Sequence, residues 1–374
     1  MRIAFDAKRL YNNFTGLGNY SRQLVSDLTQ HFPEHEYHLF TPKIKYNSET
    51  EPLLNHLQLQ THQPNGSISA LWRSSGIKKD LQAHNIQVYH GLSHEIPVGL
   101  HRTNIKSVVS IHDLVIKRHP EYFPWLDRQI YDWKFRYACE HADHVVAISE
   151  STKRDIIEYY QIDPQKISVI YQTCHPRFKQ ALNQETLSHI RAKYQLPEQF
   201  LLYVGSIIPR KNLLKLVESL SLLPKNIQLP LIVVGNGKKY KQQVEQRIQA
   251  LNLTKLVHFI RPEYDDLPAF YQLAEMLIYP STYEGFGLPI LEALYAKIPV
   301  ITTSFSSLPE AGDGGAYYIQ STEPQSIATA METVLSDSSY QKQLIESGQK
   351  HLLNFDAKVI SEQWIDLYQK VENS

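Results

Sequence analysis

Hydrophobic positions along the chain fall into two alternating patterns. Short apolar runs have the length of buried strands: RIAF from Arg2, VVSI from Val108, HVVAI from His144, FLLYV from Phe200, LIVV from Leu231, MLIY from Met276 and PVIT from Pro299. Between them, apolar residues recur three and four apart, as on amphipathic helices. Strand and helix repeated with short connections predict parallel sheets covered on both faces. Further strands are expected at 36–41, 57–61, 88–92 and 257–260, and a helix at 68–83.

The first strand, Arg2 to Ala7, leads into a predicted loop, LYNNFTGLGNYS, and then a helix from about Tyr20 to Gln30. That is a Rossmann-like opening. Gly16 and Gly18 lie in the loop, but Ser21 stands where a third fingerprint glycine belongs, which argues against a dinucleotide-dependent dehydrogenase. His90 and His112 fall near strand ends, where ligands of such sheets gather. The remaining histidines show no H-E-x-x-H or comparable ligand spacing. Cys174 to Glu198, with Pro176 and Pro197, reads as the connection between two domains.

In the second half, Gly205 ends a strand, and Arg210 with Lys211 stands just before a helix through Leu214 and Val217. Two fixed cations at a helix start suit a diphosphate. The stretch Tyr279 to Thr302, YPSTYEGFGLPILEALYAKIPVIT, reads as strand, loop and helix. Gly285 and Gly287 let backbone approach a ligand, and Pro289 fits the first helical turn, which places Glu292 in that turn. Glu284 on the loop and Glu292 on the helix would flank a bound anion and accept from hydroxyls beside it. A phosphate with hydroxyls beside it describes a nucleotide sugar. An acidic helix start on an ordinary surface loop is the structural alternative. Glu310 is expected in a turn, and three helices follow, the last from about Ala357 to Val371.

With 374 residues the chain exceeds one ordinary hydrophobic core, so two domains are expected. Lys+Arg and Asp+Glu balance at 38 each, so bulk charge gives no support for nucleic-acid binding. The two cysteines suggest neither a disulfide framework nor a metal site. The start shows no leader pattern, and no run approaches the roughly 20 apolar residues that span a bilayer. These features lead to the expectation of a cytoplasmic protein, or one held at the inner membrane face. The aromatic and basic segment from Lys117 to His141 contains a helix expected from Trp125, whose stripe either meets a lipid surface or packs on its own domain.

The run E-G-F-G-L-P-I-L-E from Glu284, with the following IPVIT strand, resembles the signature of the retaining GT4 family of GT-B glycosyltransferases. TGLGNY, IHDL, HADHVVAISESTKRDI and the Arg210-Lys211 pair extend the resemblance over most of the chain. It implies an α/β GT-B fold: an acceptor-binding Rossmann-like domain over 1–178, a nucleotide-sugar-binding one over 179–355, facing it across a cleft, and a C-terminal helix, 356–374, returning to the first. It also implies roles. His112 and Glu284 would contact the donor sugar and carry catalysis. Gly16, Gly18, Gly205, Arg210, Lys211, Gly285, Phe286, Gly287, Leu288 and Glu292 would complete the donor site, with Glu292 on the ribose and the basic pair on the phosphates. Ser206 stands where many relatives carry another Arg. Arg-Lys-Asn relatives include mannosyltransferases of surface polysaccharide pathways. The implied reaction is therefore hexose transfer, mannose from GDP-mannose first and a UDP- or dTDP-sugar second, to a glycan or lipid-linked acceptor. No D-x-D occurs, so neither metal nor cofactor is expected. An NDP-sugar epimerase and a non-catalytic nucleotide-sugar binder remain the other readings.

Overall fold

The computed structural model describes residues 1–64 and 71–374, which form two compact units: Met1–Thr173 with Phe355–Ser374, and Cys174–Asn354. In the first unit the strands are β1 (Arg2–Asp6), β2 (Glu36–Phe40), β3 (Leu59–His62), β4 (Val88–Gly91), β5 (Lys106–Ile111), β6 (His144–Ala147) and β7 (Ile167–Val169). They pair in parallel in the order β3-β2-β1-β4-β5-β6-β7. Helices cover both faces, which explains why β4 and β6 are buried at every position.

The glycine-bearing segment differs from the expected loop. Residues Lys8–Asn12 already form a short helix, and Gly16 and Gly18 lie in the first turn of the helix Gly16–His31. Asn13 Oδ1 accepts from the Thr15 and Gly18 amides at 2.9 and 3.2 Å, satisfying donors that a helix start leaves open. A Cβ on Gly18 would fall 1.7 Å from the Asn13 carbonyl oxygen, so close backbone approach is what demands glycine there. The helix expected over 68–83 is described from residue 71 on: a π-helical turn, Trp72–Gly76, runs into the helix Ile77–Ala83, and residues 68–70 lie outside the described residues.

The last helix, Ala357–Glu372, is capped by Asp356, whose Oδ1 accepts from the Lys358 amide at 2.9 Å. Its apolar face buries Ile360, Trp364 and Tyr368, and Tyr368 OH lies 2.7 Å from His90 Nδ1. The chain's end thus completes the first unit. His90 sits inside β4 and is fully buried, a core histidine rather than a strand-end ligand.

In the second unit the strands are β8 (Leu201–Val204), β9 (Leu231–Val234), β10 (Val257–Ile260), β11 (Met276–Tyr279), β12 (Val300–Thr303) and β13 (Ala316–Ile319). They are parallel, in the order β10-β9-β8-β11-β12-β13, which reverses direction between β8 and β11. The segment from Cys174, expected as a connection, belongs to this unit's packing. Phe178 meets Tyr271 edge-on at 5.7 Å, and Tyr194 of the helix Gln184–Tyr194 meets Phe270 at 5.1 Å. The division therefore falls between Thr173 and Cys174, ahead of the expected 178/179 boundary, and again at Asn354/Phe355. Glu310 lies in a helix, Leu308–Gly312, where a turn was expected.

Candidate active site

Loops at the carboxyl ends of β8 and β11 meet at the reversal point of the second sheet, the usual ligand position in such folds. After β8, Gly205 turns the backbone at φ +146 and a 3-10 turn, Pro209–Lys211, precedes the helix Leu213–Leu220. After β11, the chain crosses Pro280 to Gly287 and enters the helix Leu288–Tyr295 with a proline in its first turn. The loops are tied together: the Thr282 amide donates to the Arg210 carbonyl at 2.8 Å, and Asn212 Nδ2 to the Pro280 carbonyl at 3.0 Å.

Glu284 is the electrostatic centre. Its Oε1 lies 2.8 Å from both Arg210 Nη1 and Lys211 Nζ, and accepts from Ser281 Oγ at 2.8 Å and Tyr279 OH at 2.9 Å. Burial alone would raise the carboxyl's pKa, but the adjoining Lys211 and Arg210 charges outweigh it and hold the value down at about 2. Lys211 is itself buried, and desolvation lowers its pKa against the pull of Glu284. Its Nζ also donates to Tyr279 OH. A Cβ on Gly205 would stand 3.2 Å from that Nζ, so glycine clears the lysine's path as well as adopting the positive φ.

Glu292 lies in the second turn of its helix, one turn further than expected, because Gly287 is the N-cap and no acidic residue occupies the first turn. Its Oε2 accepts from Tyr271 OH. Burial raises its pKa to about 7, against the Tyr271 hydrogen bond and the Lys211 charge. The two glutamates, similar in sequence context, are therefore opposite in protonation behaviour. Gly287 adopts φ +123, and Ser307 Oγ donates to the carbonyls of Glu284 and Phe286, each at 2.8 Å, which fixes the loop's shape. Phe286 is buried, while Gly285 and Leu288 are partly exposed.

In the first unit, His112 follows β5 directly and is buried. Its Nε2 lies 2.8 Å from the Leu92 carbonyl, an acceptor only, so the hydrogen sits on Nε2 and Nδ1 carries the lone pair. Burial lowers its pKa to about 4, against that hydrogen bond, and the ring is neutral at pH 7. Tyr20 meets it edge-on at 4.5 Å. A Cβ on Gly16 would touch nothing within 4 Å, in contrast to Gly18.

Sequence reading missed Tyr279, Ser281 and Tyr271, the hydroxyl donors to the two carboxylates. Tyr279 and Ser281 fall within the stretch singled out, but a strand-end tyrosine reads as core. Tyr271 comes from the neighbouring helix Leu267–Leu273, and nothing local marks it.

Two family models match the chain, Glycosyltransferase Family 4 over residues 14–175 and Glycosyl transferases group 1 over 188–351. The chain belongs to the GT4 glycosyltransferases. It is 27% identical over 387 residues to the O-antigen chain mannosyltransferase B of Escherichia coli, covering 98% of this chain and 99% of that protein. It is 30% identical over 281 residues to the serotype-specific mannosyltransferase WbdA of Escherichia coli, covering 69% of this chain and 33% of the much longer relative. Among solved structures, a Rickettsia africae glycosyltransferase superposes with a TM-score of 0.79 at 18% identity over 99% of this chain and 98% of that one. Anabaena Alr3699/HepE in complex with UDP-glucose gives 0.77 at 18% identity over 99% and 100%. These likenesses identify the fold as GT-B.

Proposed function

We propose that the enzyme transfers a hexose from a nucleotide sugar to a glycan or lipid-linked acceptor in surface polysaccharide assembly, with retention of anomeric configuration. The observation that carries this reading is the cluster of Arg210, Lys211 and Glu284 beside a glycine loop and a helix start. It supplies a net positive site for a diphosphate and a carboxylate for sugar hydroxyls. In this reading Arg210 and Lys211 neutralise the leaving diphosphate without a metal, Glu284 holds the sugar, and Glu292 accepts from the ribose. His112, neutral with its lone pair on Nδ1, accepts from a sugar hydroxyl. The acceptor hydroxyl attacks on the face from which diphosphate departs, and a leaving phosphate oxygen takes its proton.

Mannose from GDP-mannose is the preferred donor, because the relatives matching most of this chain's length include O-antigen mannosyltransferases. A UDP-linked hexose is the second reading, favoured by the UDP-glucose complex of a fold neighbour. Among the described residues no helix is long and apolar enough to cross a membrane. The helix Trp125–His141 nevertheless leaves Trp125, Leu126, Ile130 and Trp133 exposed while Phe135, Ala138 and Cys139 pack inward. That exposed apolar face supports peripheral contact with a lipid surface carrying the acceptor. Incubation with a panel of nucleotide sugars and a lipid-linked acceptor mixture, followed by mass analysis, tests the proposal. A product one hexose heavier with GDP-mannose supports it, and a free epimerised nucleotide sugar or no turnover with any donor overturns it.

A further inference from the structure

We propose that His38, His62 and His84 form a binding site for one divalent transition-metal ion of the zinc class, on the sheet face of the first unit opposite the helix Gly16–His31. Tyr37 reaches back to that helix through its hydroxyl, so by the alternation of side chains along β2, His38 and Phe40 point to the other face. In the β2–β3 register His38 lies beside Gln60 and Phe40 beside His62, which makes His38 and His62 diagonal neighbours on one face. His84 arrives from a third element as the C-cap of the helix Ile77–Ala83. Histidines from three separate elements thus converge on one point.

The geometry is that of ligands. One nitrogen from each ring lies within 4.8 Å of the other two. His38 Nδ1 and His62 Nε2 are 3.0 Å apart, and the His62 and His84 ring centroids are 4.1 Å apart. Tetrahedral binding at about 2.0–2.1 Å sets neighbouring ligand nitrogens roughly 3.3 Å apart. The first pair needs only a small opening, and rotation of His84, which is not buried, closes the rest.

The two ring nitrogens of His38 divide between the cluster and its surroundings: Nδ1 pairs with His62 Nε2, and Nε2 faces away from it. His38 is 3% exposed, yet its Nε2 is a buried polar atom with no hydrogen-bond partner. Its closest acidic neighbour is Glu36, with Oε2 at 3.9 Å. Metal on Nδ1 would fix the hydrogen on Nε2, pointed toward that carboxylate, the usual outer partner of a ligating imidazole. Three imidazoles without thiolates suit zinc, copper or nickel better than magnesium or calcium. An ion here would pin the edge strand β3 and its neighbour β2 to the helix Ile77–Ala83, a structural role separate from glycosyl transfer.

The test is a Zn²⁺ titration of the full chain, stripped with chelator and returned to a non-coordinating buffer, by calorimetry and thermal unfolding. One saturable equivalent is expected, with a rise in Tm. His84→Ala, chosen because His84 is not buried, and His62→Ala should each lose that equivalent and the Tm increment. His258→Ala, on a different strand of the second unit, should keep both. Co²⁺ in place of Zn²⁺ should give the visible absorption of a four-coordinate site in the unaltered chain and in His258→Ala, and not in His84→Ala or His62→Ala. Absence of a saturable equivalent, or its retention in folded His84→Ala and His62→Ala, overturns the proposal.

Discussion

Lys211 Nζ and Glu284 Oε1 lie 2.8 Å apart, joining the loop after β8 to the loop after β11. With Arg210 Nη1 at the same distance, one carboxylate is shared by two cations. A buried ion pair is costly to form and more costly to break, because removing one partner leaves the other's charge unsolvated. Two cations against one anion leave one positive charge over, and that surplus is what a diphosphate would meet.

Lys211→Ala should therefore weaken binding of a nucleoside diphosphate far more than that of the corresponding nucleoside. A lost charged hydrogen bond is worth roughly 1.5–3 kcal/mol, or about one to two decades in affinity. Calorimetry with both ligands checks it, and equal losses would count against a phosphate role.

Gly205→Ala addresses the same lysine indirectly. The substitution places a Cβ at φ +146 and 3.2 Å from Lys211 Nζ. Backbone strain of about 1–3 kcal/mol is expected in unfolding experiments, together with weaker diphosphate binding as the lysine shifts. A variant as stable as the parent, binding diphosphate equally well, would contradict the account of this turn.

The Glu292 carboxyl gives a pH dependence with a definite sign. Burial raises its folded pKa from 4.5 to about 7. The folded chain holds this proton more tightly than the unfolded chain, so the contribution to stability is complete below about 4.5 and is lost as pH rises through about 7. Glu292→Gln cannot titrate and should lose less stability across that window. Denaturant unfolding of both proteins between pH 4.5 and pH 8 measures the difference; parallel profiles would show that Glu292 titrates normally.

Metal removal should separate chemistry from structure. With Arg210 and Lys211 on the diphosphate, turnover should survive excess EDTA at a temperature well below unfolding, even as the chelator lowers Tm by stripping the histidine site. Loss of turnover restored by Mg²⁺ would place a metal in the reaction itself.

Much of the architecture was legible because parallel strands are buried on both faces and read as continuous apolar runs. The loop glutamate and basic pair were legible for a related reason: each lies in the loop that follows such a strand, and strand ends are where ligands sit. Glu292 fell one turn beyond its expected place because Gly287, at φ +123, caps the helix itself. Gly16 and Gly18 were read as a loop because glycine usually breaks helices, whereas here Gly18 allows contact with the Asn13 carbonyl. The histidine cluster left no local signal. His38, His62 and His84 are brought together by strand register and a helix end, and neither appears as spacing along the chain.

The central claim is that two glutamates divide the donor between them, and parallel measurement of Glu284→Gln and Glu292→Gln tests it most directly. For each variant, kcat with the nucleotide sugar and Kd for the free nucleoside diphosphate would be measured. Glu284→Gln should cut kcat by about one to two decades, the worth of a charged hydrogen bond, while binding the free diphosphate at least as tightly, since Arg210 and Lys211 lose their competing anion. Glu292→Gln should weaken the free diphosphate itself, because the ribose is present with or without the sugar. The same pattern in both variants, or the reverse pattern, would contradict the account.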